Sequence, residues 1–447
     1  MKTLLALLFF CVSFGSTAQA ISSYTTTVCT PQSTGYYFCT LLKISNGVSN
    51  SKQCHLILDN NGDLMYCRKL PLGQLTCDFK LHNNGLISYY YNNKFYLVDS
   101  TFKTIDSVYC KNGLLKDTHE LLILPNGNYA LLGIEIIEIN LSSHYMFMNK
   151  NLPGSKKAKV KCGVIQEQDI NKNVVFEWHA KDYYDFTDVD SFFLTDTLNV
   201  DWTHFNSLEL DHDGNYIVSA RYLNEVTKIK RSDSTVLWRL GGKKNQFEFI
   251  NDPDKFIGQH DIRRLANTNI SLFDNGRMDS VIRPALAKEY KLDEKKFKIE
   301  LIWRYLDNPK ASSVFSGSVS RLANGNTLIN YGTSNNSRTL FNVVDSKGAK
   351  VFEIVFTDTV ASYRAYNYED LPWKIQRPAI RSYRKNDKLY LNAGRGYSSY
   401  EWSTGETSQI IEINNSGNYS VAIPVGIDGA VYSKPFLVES VTKLKPK

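Results

Sequence analysis

Beyond its first twenty residues the 447-residue chain has no apolar run long enough to cross a membrane as a helix, so no transmembrane segment is expected. It also has no concentrated basic stretch. The formal charge of +7 falls to +6 once Lys2 is set aside with the leader described below, and the remainder is dispersed. The electrostatic footprint of a nucleic-acid binder is therefore missing, and no nucleic-acid partner is expected. No two cysteines stand in a Cys-x-x-Cys pair, which removes the common thiolate zinc sites. The chain also lacks the S-x-D-x-G-x-x-W boxes of sialidases and any Trp-Asp dipeptide, which sets two repeat classes aside.

Residues 1–20 read as a targeting segment: Lys2 supplies charge, Leu4 to Phe14 an apolar core, and Ala18-Gln19-Ala20 a small-residue cleavage site. An exported protein is expected, whether periplasmic, cell-surface or secreted. Cys11 leaves with the leader. Cys29, Cys39, Cys54, Cys67, Cys77, Cys110 and Cys162 remain, all in the first third of the mature chain. Export favours disulfides pinning the N-terminal strands, with at least one thiol left over.

A unit recurs along the chain. Its copies read DTHELLILPNGNYALL (Asp117 to Leu132), DWTHFNSLELDHDGNYIVSAR (Asp201 to Arg221) and GQHDIRRLANTNISLF (Gly258 to Phe273). In a fourth copy, FSGSVSRLANGNTLINYG, Gly317 stands where the others carry His119, His204 and His260. An Asn-Gly-type tip marks a tight hairpin, and a second hairpin follows each copy. Four strands per unit are the composition of a propeller blade. Trp178, Trp238 and Trp303 fall near the ends of the fourth strands and are expected to pack between blades. Asp78 to Cys110 has the same rhythm, and His55 to Cys67 looks like half of a first blade that strands from elsewhere would complete. The expected fold is all-β: a six-bladed β-propeller over residues 21–370, followed at 371–447 by a small β-sandwich. The segment Glu289 to Lys298 is charged and helix-prone, and reads as an insertion. Gly396 to Val425 resembles the small immunoglobulin-like modules appended to exported proteins.

Equivalent positions in a closed ring converge on its axis, so His119, His204 and His260 are expected to share one site. Asn206, two residues after His204, is expected on the same strand face, and Arg221 at the end of the next strand is expected to reach the same pocket. No carboxylate within the motifs clearly joins them. Three imidazoles, an amide and a guanidinium suit an anionic substrate. His55, His82, His144, His179 and His212 are read as incidental, with His212 at a solvent-facing hairpin tip. Arg263, Arg264 and Arg277 are left outside the site.

The D-x-H before LPNGN, the H-x-N followed by S-x-R at Ser219 to Arg221, and the Gln259-His260 pair before the D-N-G turn at Asp274 to Gly276 resemble bacterial arylsulfate sulfotransferases. The likeness spans about Leu114 to Phe356 and is strongest from Asp201 to Gly276. It implies an exported six-bladed propeller that moves a sulfuryl group from an aryl sulfate donor to a phenol acceptor, with no nucleotide donor and no cofactor. Position by position, His260 resembles the nucleophile that becomes sulfated, and His119 and His204 the histidines that assist the phenolic oxygen. Asn206 and Arg221 resemble the groups that hold the sulfuryl oxygens. The family's hydroxyl from a later blade has its nearest candidate in Ser318. Two other readings stay open on the residues alone: a His-ligated metal site at the ring centre, which Arg221 opposes, and a non-catalytic binding module on the cell surface.

Overall fold

The computed structural model describes residues 10–12, 24–28, 35–43, 53–71, 75–147, 149–278, 281–307, 310, 313, 315–333, 339–357 and 360–441. Most of the leader and Cys29 lie outside them. Within them the chain is all-β, with four short 3-10 turns and no α-helix.

Val, Ile, Leu, Tyr and Phe fill short segments bounded by Asn, Asp and Gly, and these segments pair antiparallel with their chain neighbours. Five such meanders follow one another. They are Thr76–Leu81 to Thr104–Val108; Leu115–Ile123, Tyr129–Ile139, Ala158–Gln168 and Val174–His179; Phe205–Leu210 to Val236–Gly241; His260–Arg264, Ile270–Asp274, Leu286–Asp293 and Lys298–Tyr305; and Ser318–Arg321 to Lys350–Phe356. A further sheet starts earlier in the chain, with Tyr36–Lys43, Gln53–Asp59 and Leu64–Leu70, and receives its fourth strand from Ala365–Tyr368, paired Tyr36↔Tyr368 to Cys39↔Ala365. This sheet, which holds the segment His55 to Cys67, is thus joined by a strand from a distant part of the chain. At the other end of the chain Tyr24–Val28 adds to the outer edge of the last meander.

The first strand of each meander packs on the first strand of the next, and Ala365–Tyr368 packs on Ser318–Arg321. Tyr36–Lys43 packs on Thr76–Leu81, which completes a propeller-like ring of sheets. The Tyr368 hydroxyl seals the join, accepting from Leu81 N–H and donating to Leu81 C=O, both at 2.9 Å. Between neighbouring sheets lie apolar layers such as Leu132, Ile165, Trp178, Phe205, Leu208 and Val218. The three tryptophans do reach the following sheet. Trp178 Nε1 donates to Ser234 O at 3.1 Å, Trp238 Nε1 to Glu294 at 3.0 Å, and Arg321 covers the Trp303 ring at 3.8 Å.

Two expectations are corrected. Glu289 to Lys298 is no helical insertion. It forms the hairpin between Leu286–Asp293 and Lys298–Tyr305, and pairing of both strands within the sheet overrides its charged, helix-favouring composition. No disulfide forms among the described residues: Cys39, Cys54, Cys67, Cys77, Cys110 and Cys162 are all buried as thiols. They pack as small apolar side chains, and burial pushes the Cys39 thiol up to about 12.

After the ring, Arg381–Lys385, Lys388–Asn392 and Ile410–Ile413 form one sheet, and Gly417–Tyr419 pairs with Phe436–Val438. Gly429–Tyr432 pairs with Leu64–Leu70, so part of this C-terminal segment continues the first sheet.

His55 illustrates the cost of a buried neutral imidazole. It is fully buried, stacks on Phe79 at 4.6 Å, and meets the Thr76 hydroxyl at 2.7 Å. Burial, then the nearby Arg68 charge, hold its pKa well below 6.5. The unfolded chain therefore takes up a proton below about pH 6.5 that the folded chain refuses. Stability present above that pH is lost as the pH falls, at about 1.4 kcal/mol per pH unit for each such histidine. Unfolding by guanidinium at pH 7 and pH 5 should reveal this loss, and His55→Phe should reduce it. An unchanged pH slope in His55→Phe would contradict the assignment.

Candidate active site

The site opens where the ring's first strands begin. Four of these strands start irregularly: register shifts fall at Cys77/Lys80, Lys116/Leu121, Phe205/Ser207 and His260/Arg263. Asp78, His204 and Asp261 adopt positive φ at these heads. Such bulges re-aim side chains. Here they turn His119, His204 and His260 into one cavity of about 300 Å³, together with Arg221, Tyr222 and Tyr363. A second cavity of about 180 Å³ meets the first at His119 and His204, with Asp117, Asp201, Lys116 and Lys161 on its walls.

The three histidines have different partners. His119 Nδ1 lies 2.7 Å from Asp117 Oδ1, and His204 Nδ1 2.7 Å from Asp201 Oδ2. Their rings meet edge to face at 5.2 Å. Among the described residues His260 has no carboxylate partner: its Nδ1 lies 2.7 Å from Asn275 Oδ1 and 3.1 Å from Gly258 O, and Ser316 N–H points at Nε2 from 3.2 Å. Burial first, and the Arg221 charge second, hold the His260 pKa well below 6.5. Burial also lowers that of His204, although Asp201 opposes the shift. The arrangement sets two Asp–His pairs able to move protons beside one neutral imidazole able to donate electrons.

Arg221 follows Tyr216–Ala220 in a 3-10 turn, and its backbone N–H bonds His204 O at 3.1 Å. Its guanidinium lies over the rings of Phe193 and Tyr222, at 5.3 and 5.1 Å. Tyr222 in turn stacks on the His204 ring at 4.5 Å. The Gln259 amide reaches Ser219 Oγ at 3.0 Å and Glu225 O at 3.1 Å, tying the His260 strand to the preceding sheet.

Two expected residues are placed elsewhere. Asn206 is fully buried, and its amide donates to Gln259 O at 2.6 Å rather than lining the cavity. Strand alternation does not carry from His204 to Asn206, because His204 sits at φ 46° just outside the strand and the register shifts at Phe205. Ser318 is also buried, and its hydroxyl accepts from Ala365 N–H at 3.2 Å. Ser316 and Thr333 line the cavity instead. Gly317 is bare for a steric reason: a Cβ there would stand 2.3 Å from Phe273 Cδ1, at φ +112°. His212 is exposed at its hairpin tip.

Sequence reasoning missed five residues. Asp117 and Asp201 sit inside the quoted motifs and do join the site. Asn275 is the centre of the D-N-G turn. Tyr363 and Arg364 lead into the closing strand, which carries no hairpin signature. Arg364 is buried against Asp78 at 2.9 Å, Glu120 at 2.9 Å and Asp261 at 3.0 Å, and donates to Asn206 O at 2.7 Å. Among the described residues no group of three or more His, Cys, Asp or Glu is placed to hold a metal ion.

The profile of the arylsulfotransferase (ASST) family matches residues 26–367, which include every residue of this site. The chain belongs to the arylsulfotransferase family. Family membership supports aryl sulfotransferase activity in general, with an aryl sulfate as donor and a phenol as acceptor. No curated protein matches this arylsulfotransferase by sequence. Solved structures resemble it distantly. A Bacteroides caccae protein of unknown function has TM-score 0.46 and 13% identity, covering 74% of this chain and 100% of its own. A catalytically inactive virginiamycin B lyase from Staphylococcus aureus has TM-score 0.38 and 12% identity, covering 83% and 95%. Likenesses this distant carry no functional information. No helix among the described residues is long and apolar enough to cross a membrane.

Proposed function

We propose that this arylsulfotransferase works by ping-pong transfer without a nucleotide donor, storing the sulfuryl group on His260. The contrast between partners carries the reading: two histidines backed by carboxylates stand beside one backed by a neutral amide. The neutral His260 attacks sulfur, the S–O bond to the aryl group breaks, and the electron pair leaves on the phenolic oxygen. His119 or His204 delivers a proton to that oxygen, and later takes one from the acceptor phenol as the group is passed on. By analogy with phosphoryl transfer, charge gathers on the equatorial and leaving oxygens. Arg221 faces that charge, a contribution typically worth about 3 kcal/mol.

Arg221→Ala should therefore lower kcat by about 100-fold and leave slow transfer. An Arg221→Ala protein with wild-type kcat would remove the residue from the sulfuryl site. The activity itself is tested with 4-nitrophenyl sulfate: coloured phenol should be released, faster when a second phenol is added. Silence towards a broad panel of aryl sulfates would favour a non-catalytic binding module.

The same reading takes residues 21–370 as a six-bladed propeller, with the strand Ala365–Tyr368 completing the first blade. It takes 371–447 as an immunoglobulin-like module and residues 1–20 as an export signal. The supports are the order of sheets around the ring, the separate small core about Trp402, and the leader composition.

A further inference from the structure

We infer that Asn275 is a positioning residue that keeps the His260 proton on Nδ1 and so presents Nε2 as the attacking atom. The inference rests on His260 being the nucleophile. A neutral imidazole has one N–H and one lone pair, and their placement is set by what each nitrogen faces. The Asn275 side-chain amide is itself fixed. Its NH2 group donates to Ser316 O at 3.0 Å, and lies 3.2 Å from Ser313 Oγ and 3.3 Å from Ser313 O. With its donors so engaged, Asn275 can turn only its carbonyl oxygen to His260 Nδ1. Gly258 O is a second acceptor on the same nitrogen, so Nδ1 must carry the proton. The other nitrogen gives the same answer independently. The Ser316 N–H faces Nε2, and a donor there requires a lone pair on the ring. Ser316 holds that N–H in place from a left-handed backbone conformation, φ 65°.

The assignment explains why an amide is suited to this position. When Nε2 forms the N–S bond, the S–O electron pair leaves with the aryl oxygen and the ring gains a positive charge while keeping its Nδ1 proton. A neutral acceptor holds that proton without removing it. The sulfated ring then stays cationic, and a cationic imidazole leaves sulfur readily in the second transfer. The Ser316 N–H, displaced from Nε2 by sulfur, is free to turn to a sulfuryl oxygen.

Long-range proton–nitrogen correlation on protein labelled in its histidine rings reads the tautomer, with His260 identified by its absence in His260→Gln. The wild-type protein should show a protonated Nδ1 and a bare Nε2 at neutral pH. Asn275→Ala removes the nearer acceptor on Nδ1 and the tether on Ser316 O, so the Nε2-protonated form should rise above its wild-type level and kcat for aryl sulfate should fall at least about 10-fold, with KM changed less than about 3-fold. A wild-type His260 protonated mainly on Nε2, or Asn275→Ala with wild-type kcat, would overturn the proposal. If Asn275→Ala does not fold, the wild-type spectrum decides alone. That spectrum needs no turnover, so an inactive protein would count against the sulfotransfer reading and not against the tautomer.

Discussion

Replacing His260 by alanine will reduce sulfuryl transfer to background, a loss of more than about 1,000-fold, because it removes the atom on which the group is stored. The fold should persist. The His260 ring is held by side-chain and backbone contacts at the head of its strand, while the core layers lie further along the sheets. Aryl sulfate should still bind, since Arg221 and the cavity walls remain. The effect should therefore appear in kcat and not in substrate affinity. Single-turnover mixing with 4-nitrophenyl sulfate checks this: wild type should give a burst of phenol without acceptor, and His260→Ala none. A burst of normal size in His260→Ala would assign the nucleophile elsewhere.

Replacing Arg364 by methionine will destabilise the fold by about 3–5 kcal/mol, the cost of leaving buried charges without their partner. Arg364 comes from the segment that closes the ring, and its side chain is 1% exposed. It meets one carboxylate from each of three different sheets: Asp78, Glu120 and Asp261. Lys80 and Arg263 also pair with this acidic set, Lys80 with Asp78 and Glu120, and Arg263 with Glu120 and Asp261. Glu120 is held strongly acidic, its desolvation overcome by Arg263, Arg364 and Lys80. Methionine fills the volume and leaves three carboxylates facing two cations. Because Arg364 also bonds His119 O, transfer should weaken in the protein that still folds. The midpoint of guanidinium unfolding measures the first effect. A loss under about 1 kcal/mol would mean that the cluster does not hold the ring closed.

The histidines were legible because each opens a hairpin whose tip is written in Asn, Asp and Gly, so equivalence in the repeat became equivalence in space. The fourth-strand tryptophans were legible for the same reason. What failed was alternation at the strand heads. Asn206 was assigned by counting residues along an ideal strand, yet the chain bulges where that strand begins, and the count shifts. Ser318 was the nearest hydroxyl that the family resemblance offered, and it turns into the sheet instead. Asp117 and Asp201 were visible in the motifs, but nothing in the sequence clearly joined a carboxylate to the cluster. Their role depends on a local turn of chain that periodicity does not encode. Tyr363 and Arg364 were hidden most deeply. They lead into a strand contributed to the first sheet from the end of the ring, some three hundred residues after that sheet begins, and nothing local marks the pairing. The expected disulfides came from composition and compartment. The buried thiols answer to packing instead.

The most direct test of the account is to trap the sulfated protein. Wild-type protein mixed with an aryl sulfate without acceptor, quenched under alkaline conditions and digested, should yield one peptide heavier by a sulfuryl group, with the added mass on His260. Adding a phenol before the quench should discharge it. A sulfuryl group on any other residue, or none on a protein that is turning over substrate, would contradict transfer through His260.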